Sequence, residues 1–314
     1  MSSPVTSPHE RSKPKIAVLG SINMDLVIRC DRLPKPGETV AARSMTEVPG
    51  GKGANQAVAA ARCGGAVQMI GRVGDDGFGQ KLRNNLLQES IDCSAVLTAQ
   101  GCESGLAIVS VENSGENAII VIPGANARLS AEDIHRSESI LAGCDVLMVQ
   151  LETPQPTVLA GIQAAKRAGA KVILDPAPAA TLAEELFDVD LICPNESEAT
   201  AIVGGRLETI DDAAEIAKRL HAKGPAAVAI TLGARGTMLY DGQTAELIES
   251  IKVDAVDTTA AGDAFAGAVA VRWAQTGSLR QAIQWANLAG ALAASRAGAQ
   301  PSLPTHQQID SLSS

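Results

Sequence analysis

The chain has 314 residues, 46% of them hydrophobic and 19% charged, with a formal net charge of −9. That composition supports a sizeable core and excludes a disordered chain. The negative sum disfavours nonspecific binding to nucleic acid or to an anionic membrane, but it permits a local basic pocket for a phosphorylated small molecule.

Residues 1–14 are polar, carry Pro4, Pro8 and Pro14, and lack an apolar stretch, so they read as a loose tail and not as a signal peptide. The remainder, 15–314, reads as one α/β domain, because no repeat, low-complexity tract or linker divides it. Apolar runs of strand length follow in order: Ile16–Leu19, Val67–Ile70, Asp145–Leu151, Lys171–Leu174, Asp190–Cys193 and Ala227–Leu232. Between them, helical spacing predicts Gly53–Cys63, Phe78–Glu89, Pro154–Ala168, Glu196–Val203 and Asp211–Ala222. Such alternation predicts a doubly wound, mostly parallel sheet with helices on both faces. Met24–Val48 and Ser104–Ile122 break the pattern, with strand-like residues, turn punctuation at Leu33–Gly37 and Asn113–Gly115, and no helix between. Each reads as a hairpin-like excursion: either ordinary surface hairpins or a small sheet over a site.

With two Trp, one Tyr and three Phe, the core must be built from Ala, Val, Ile and Leu. No pair of the six cysteines has C-x-x-C spacing and the four histidines are scattered, which argues against a zinc cluster and for buried thiols in a reducing compartment. No run approaches the roughly 18 apolar residues needed to span a bilayer. A cytoplasmic protein is expected.

Four segments could carry chemistry. Pro49–Gln56 packs Gly50, Gly51 and Gly53 around Lys52 ahead of an Ala-rich helix, either as a ligand-approaching turn or as a structural helix entry. It fails the P-loop spacing, because Gly53 follows Lys52. Val256–Phe265 places small residues before a helix, a pattern that leaves amides free for an anion. Asp263 beside such a nest makes sense as the acceptor of a proton from an attacking hydroxyl; otherwise it is a first-turn acid. Cys193–Glu198 follows a strand, where Asn195 and Glu198 could order Mg²⁺-bound water or form a helix cap. Thr231–Gly236 is a glycine-rich turn after another strand, suited to phosphates or simply to reversing the chain. Asn23, Asp25 and Glu152 lie where hydroxyls could be read, or are turn residues.

Taken in order, Gly20–Asp25, Gly50–Ala57, Gln150–Glu152, Pro194–Glu196, Thr231–Gly233, Asp257–Asp263 and Gly298–Ser302 closely resemble the ribokinase-like carbohydrate kinase family, over about residues 15–313. Ala260-Ala261-Gly262-Asp263 stands where many relatives carry Gly-Ala-Gly-Asp, and alanine still supplies an amide.

The resemblance implies ATP-dependent phosphorylation of D-ribose at the 5-hydroxyl. It also implies a small β lid drawn from about 24–48 and 104–122, and a homodimer formed through that lid. Asn23, Asp25, Gly51, Lys52, Gly53, Asn55 and Glu152 would bind the sugar, and Asp263 would be the general base with Ala260, Ala261 and Gly262 as the anion hole. ATP would lie against Asn195, Thr231, Gly233, Arg235, Gly236, Gly262 and Asn287, with Mg²⁺ held through water by Asn195 and Glu198. A monovalent cation, usually K⁺, would sit among Asp257, Thr259, Ala293, Arg296, Gly298 and Ser302. The alternatives are a kinase for deoxyribose, another pentose or a nucleoside, or a catalytically silent sugar-binding regulator. The intact Asp257–Asp263 segment argues against the silent protein, and the net charge and scarce aromatics argue against a nucleic-acid binder.

Overall fold

The structure, a computed structural model, describes residues 12–112 and 116–312. Its elements run β1 (Lys15–Leu19), β2 (Asn23–Cys30), β3 (Ala42–Gly50), α1 (Lys52–Arg62), β4 (Ala66–Gly74), α2 (Gly77–Gln88) and β5 (Asp92–Ala99). There follow β6 (Gly105–Val111), β7 (Asn117–Ile122), α3 (Ala131–Arg136), α4 (Glu138–Gly143), β8 (Val146–Val149), α5 (Gln155–Arg167), β9 (Lys171–Leu174) and β10 (Leu191–Ile192). The last third holds α6 (Glu196–Val203), α7 (Ile210–His221), β11 (Val228–Thr231), β12 (Thr237–Tyr240), β13 (Ala245–Ile248), α8 (Ala261–Thr276), α9 (Leu279–Ala294) and α10 (His306–Asp310).

Nine strands form the main sheet in the order β13-β12-β11-β10-β9-β8-β1-β4-β5. All neighbours are parallel except β11–β12 and β12–β13 at one edge, which matches the expected doubly wound class. Alternating side chains divide the interior in two. From β1, Ile16 and Val18 point into a core shared with α1, α2, α8 and α9. Ala17 and Leu19 point the other way, into a core shared with α3, α4, α5 and α7. Five of the six cysteines are buried and all are free thiols.

The sequence reading departs from the structure in identifiable places. Three expected strands are trimmed: Asp145–Leu151 to β8, Asp190–Cys193 to β10 and Ala227–Leu232 to β11. In each the residues beyond the carboxyl end turn away to form a rim. The helix α9 is not among the expected helices, although Ser278 caps its start by accepting from Gln281 N. Pro14 belongs to the fold and not to the tail: it is buried, and its carbonyl accepts from Ala66 N at 2.7 Å. The rest of the expected tail, up to residue 11, lies outside the described residues, as does the turn Asn113–Gly115.

The two helix-free stretches form one small sheet, ordered β3-β2-β6-β7. Each contributes an antiparallel pair, and the pairs join along parallel β2 and β6, from Asn23 beside Gly105 to Arg29 beside Val111. The sheet leaves the body directly after β1 and returns through Asn126, whose Oδ1 accepts from Ile22 N at 2.9 Å. Among the described residues no helix is long and apolar enough to cross a membrane.

Candidate active site

In an open α/β sheet the carboxyl ends of neighbouring parallel strands leave a crevice where the strand order reverses. Here β1 lies between β8 and β4, and the turns after β1, β8, β9, β10 and β11 all open on that side. The turn after β1 supplies Ser21, whose hydroxyl donates to Glu152 Oε2 at 2.5 Å and accepts from Gly53 N at 3.2 Å. Glu152, beyond β8, also accepts from Lys52 N at 3.1 Å. The first amides of α1 are thus committed to Ser21 and Glu152. The glycine-rich turn works here as a close-packed helix entry, with Gly51 as the N-cap, and its backbone is not an open anion nest. Its contribution to the crevice comes from the Lys52 and Asn55 side chains.

Asn23 and Asp25 open the lid strand β2 and are not turn residues. Asn23 Oδ1 accepts from Asn126 Nδ2 at 2.7 Å. Asp25 is half-buried, and burial followed by repulsion from Glu152 and Asp263 pushes its pKa up to about 7.

Asp263 lies in the first turn of α8, yet it does not cap that helix, whose N-cap is Ala260. It is 5% exposed. Its Oδ2 accepts from Asn55 Nδ2 at 3.0 Å and its Oδ1 from Gln56 Nε2 at 3.2 Å. Burial raises its pKa, while Lys52 and these two donors restrain the rise. Burial alone would neutralise Lys52, but Asp175, Asp263, Glu152 and Glu198 surround it and hold its pKa above the usual lysine value. Asn55 Oδ1 is buried with no hydrogen-bond partner, an acceptor left over for a ligand hydroxyl.

A cleft of about 480 Å³ opens from Asp263 along the head of α8. Lys52, Asn195, Thr231, Gly233, Gly236, Thr259, Ala261, Gly262 and Asn287 all line it, together with aliphatic Ile251, Val253 and Ala291. Two expected residues fall outside this lining. Ala260 is buried beneath the turn. Arg235 turns its guanidinium to Glu196 and to the Glu208 carbonyl. Ala261 N is bonded back to the Thr258 carbonyl at 3.2 Å. Asn287 braces the wall, accepting from Thr237 Oγ1 at 2.6 Å and donating to the Ile248 carbonyl at 2.8 Å.

Asn195 combines both of its readings: it caps α6 by accepting from Glu198 N at 2.9 Å, and it lines the cleft. Glu198 returns a bond to Asn195 N at 2.8 Å. Both also line an adjoining cavity of about 50 Å³ with Asp175 and Cys193.

Of the residues expected around a monovalent cation, three meet directly. Asp257 accepts from Thr259 N at 3.0 Å, from Thr259 Oγ1 at 2.5 Å and from Gly298 N at 2.9 Å. Burial opposes ionisation of Asp257, and these bonds more than offset it, so its pKa is lowered. Ala293 and Arg296 bond to each other at the turn closing α9, with Arg296 N donating to the Ala293 carbonyl at 3.1 Å. Ser302 is buried, and its hydroxyl donates to the Ala299 carbonyl at 2.8 Å.

The sequence reading did not assign roles to Ser21, Gln56, Asn126, Gln150 or Asp175. Asp175 follows β9 as Glu152 follows β8, so its place at a strand's carboxyl end was the available signal. Gln56 and Asn126 carry no such mark, because their partners lie 119 and 103 residues away.

Comparison with known proteins identifies the family. Residues 13–306 match the model of the pfkB family of carbohydrate kinases. The chain is 41% identical over 294 residues to a ribokinase of Haemophilus influenzae, covering 93% of this chain and 96% of that protein. It is 36% identical over 297 residues to a deoxyribokinase of Salmonella typhi, covering 94% and 97%. Arabidopsis thaliana ribokinase, solved in complex with ribose and ATP, superposes with a TM-score of 0.87 at 31% identity, covering 96% of this chain and 98% of that one. By sequence and by architecture, the chain belongs to the pfkB family of carbohydrate kinases.

Proposed function

We propose that the protein transfers the γ-phosphoryl group of ATP to the 5-hydroxyl of D-ribose, releasing ADP and ribose 5-phosphate. One observation carries this reading: a buried carboxylate, Asp263, stands where the polar sugar-side groups meet the nucleotide-sized cleft. Asn23, Asp25, Lys52, Asn55 and Glu152 make up the sugar side, with Asn55 Oδ1 as a free acceptor, and Gly51 and Gly53 serve it by packing the helix entry that carries Lys52 and Asn55. As the new O–P bond forms and the bond to the β-phosphate oxygen breaks, the hydroxyl proton passes to Asp263. A carboxylate whose pKa is raised by burial is a better proton acceptor than an exposed one. Charge on the migrating group meets the amino-terminal end of the 16-residue α8, around Gly262, and the Lys52 ammonium.

ATP supplies the phosphoryl group, and Mg²⁺ bound with it would offset charge on its phosphates. Among the described residues no three His, Cys, Asp or Glu side chains form a metal cluster. Asn195 and Glu198 instead offer oxygen donors already engaged in capping, which suits an ion that keeps its water shell. K⁺ fits the loop of Asp257, Thr259 and Gly298, where the carboxylate stays ionised, with Ala293, Arg296 and Ser302 in the adjoining turns. The lid favours a homodimer, since it exposes Met45, Ile119, Ile120, Val121 and Ile122. Residues 15–314 serve as one α/β domain carrying this lid.

The test is Asp263→Asn in a coupled ADP-release assay across pentoses, hexoses and nucleosides. Turnover on ribose should fall by about 10²–10⁴-fold, with ribose binding retained by calorimetry. Turnover within about tenfold of the wild type would remove Asp263 from the role of base. Deoxyribose is the second reading, favoured by the deoxyribokinase likeness; faster turnover of 2-deoxyribose than of ribose would select it.

A further inference from the structure

Gln56 is 1% exposed, and its single NH₂ group serves two buried carboxylates. It donates to Asp175 Oδ2 at 2.7 Å and to Asp263 Oδ1 at 3.2 Å. Its carbonyl end is fixed from the far side, where Gln150 Nε2 donates to Gln56 Oε1 at 2.5 Å. A flipped Gln56 amide would set its oxygen against both carboxylates and its NH₂ against the NH₂ of Gln150, so only one orientation is compatible. Gln150 is itself fully buried, and its Oε1, which has no hydrogen-bond partner, is confined by packing alone: a Cβ built on Gly20 would lie 2.0 Å from it. Buried amides and carboxylates bonded in series lose the solvation that water would give each of them, so every member depends on its neighbours' orientation.

We propose that Gln56, locked by Gln150, is the positioning residue that holds the Asp263 carboxylate in its rotamer toward the acceptor hydroxyl. Gln150 acts on Asp263 only through Gln56. The inference rests on Asp263 being the base. Asn55 grips the other oxygen, so losing Gln56 leaves the carboxylate on one anchor and free to turn about its last torsion. Binding of sugar and nucleotide rests on other groups, so the loss should appear in kcat and not in KM.

The test is steady-state kinetics of Gln56→Leu, Gln150→Leu and the double variant across pH, beside Asp263→Asn. A lost bond to a charged group predicts about a 10- to 100-fold fall in kcat for Gln56→Leu, with KM for sugar and for ATP within roughly threefold. The acid limb of kcat, read at saturating sugar, should move to higher pH. The lost donor favoured ionised Asp263, and the charges that still face it are Lys52, Asp25, Glu152 and Asp175. Gln150→Leu should act in the same direction and more weakly, and the double variant should match Gln56→Leu. If Gln56→Leu does not fold, Gln56→Met answers the same question, because it keeps the length of the side chain and adds no charge while removing the shared donor. Unchanged kcat in a folded variant, a change confined to KM, or independent effects that multiply in the double variant would each overturn the proposal. An active Asp263→Asn enzyme would mark failure of the underlying assignment, whereas an inactive one beside a normal Gln56→Leu would mark failure of this inference alone.

Discussion

Gly50 closes the lid strand β3 directly beneath Asp25. A Cβ built there would lie 2.2 Å from Asp25 Oδ2, 2.5 Å from its Cγ and 2.7 Å from its Oδ1. Alanine would therefore displace the whole carboxyl group, while the other side chains placed on the sugar side keep their bonds. A hydrogen bond from a ligand hydroxyl to a carboxylate is worth about 1.5–3 kcal/mol, which corresponds to roughly a 10- to 150-fold change in affinity. Gly50→Ala should accordingly raise the KM for the sugar by that factor and leave the KM for ATP near its original value. The coupled ADP-release assay, titrating each substrate against a saturating level of the other, reads both. Asp25→Ala provides the reference, and the double variant should be no worse than Asp25→Ala, because both changes remove one contact. A sugar KM unchanged in Gly50→Ala, with Asp25→Ala impaired, would show that the carboxyl finds an equivalent place and would refute the steric argument.

The raised pKa of Asp25, about 7, makes sugar binding sensitive to pH near neutrality. Below that value the acceptor is protonated, so the sugar KM should rise as pH falls, and the dependence should flatten in Asp25→Asn. Stability of the free protein should run the opposite way. Asp25 and Asp175 both bind protons more tightly folded than unfolded, so their stabilising contribution is complete below the unfolded value and is lost as pH rises to about 7. Thermal melts should show a lower Tm at the alkaline end of that window, and a flat Tm would contradict it. Replacing K⁺ with Na⁺ should lower turnover, and Asp257→Ala should abolish the difference between the two salts; equal rates in the wild type would count against a cation at this loop. Ile120, 64% exposed on the lid, should hold two copies together, so Ile120→Lys should shift the protein to monomer in analytical ultracentrifugation unless the lid serves no interface.

Much of this was legible in the chain because the site hangs on strand ends, and strand ends are marked by apolar runs that stop. Asn23, Glu152, Asn195 and Thr231 each follow or end such a run, and the fold brings them to one side of the sheet. The lid was visible as two stretches without helical spacing, but their joining along β2 and β6 was not, because parallel pairing leaves no local turn to announce it. What stayed hidden depended on contacts between distant segments. The resemblance set Arg235 against ATP, in a glycine-rich turn at a strand end, yet Glu196, 39 residues earlier, pairs with its guanidinium. Ala260 carried the expected small size but lies under the turn and not along the cleft. Gln56 read as one more polar residue in a helix; its meaning appears only when Asp175, Asp263 and Gln150 close around it.

Asn126 ties the chain leaving the body to the chain coming back, touching Asn23 at the root of β2, while Gly105 at the root of β6 lies against both side chains. The roots of β2 and β6 are therefore pinned to each other and to the returning chain, whereas the far ends of the same strands are held by contacts within the small sheet, such as Leu33 N donating to Glu112 Oε2 at 3.0 Å. From Asn23 to Cys30 the strand is a lever of about 23 Å, at about 3.3 Å per residue, so each degree of swing carries its tip by roughly 0.4 Å and its root hardly at all. Asn23 and Asp25 sit at the fulcrum and stay in register, while travel grows toward Cys30; on β7 the exposed isoleucines share that gradient, with Ile122 opposite Leu106 near the root and Ile119 opposite Val109 farther out.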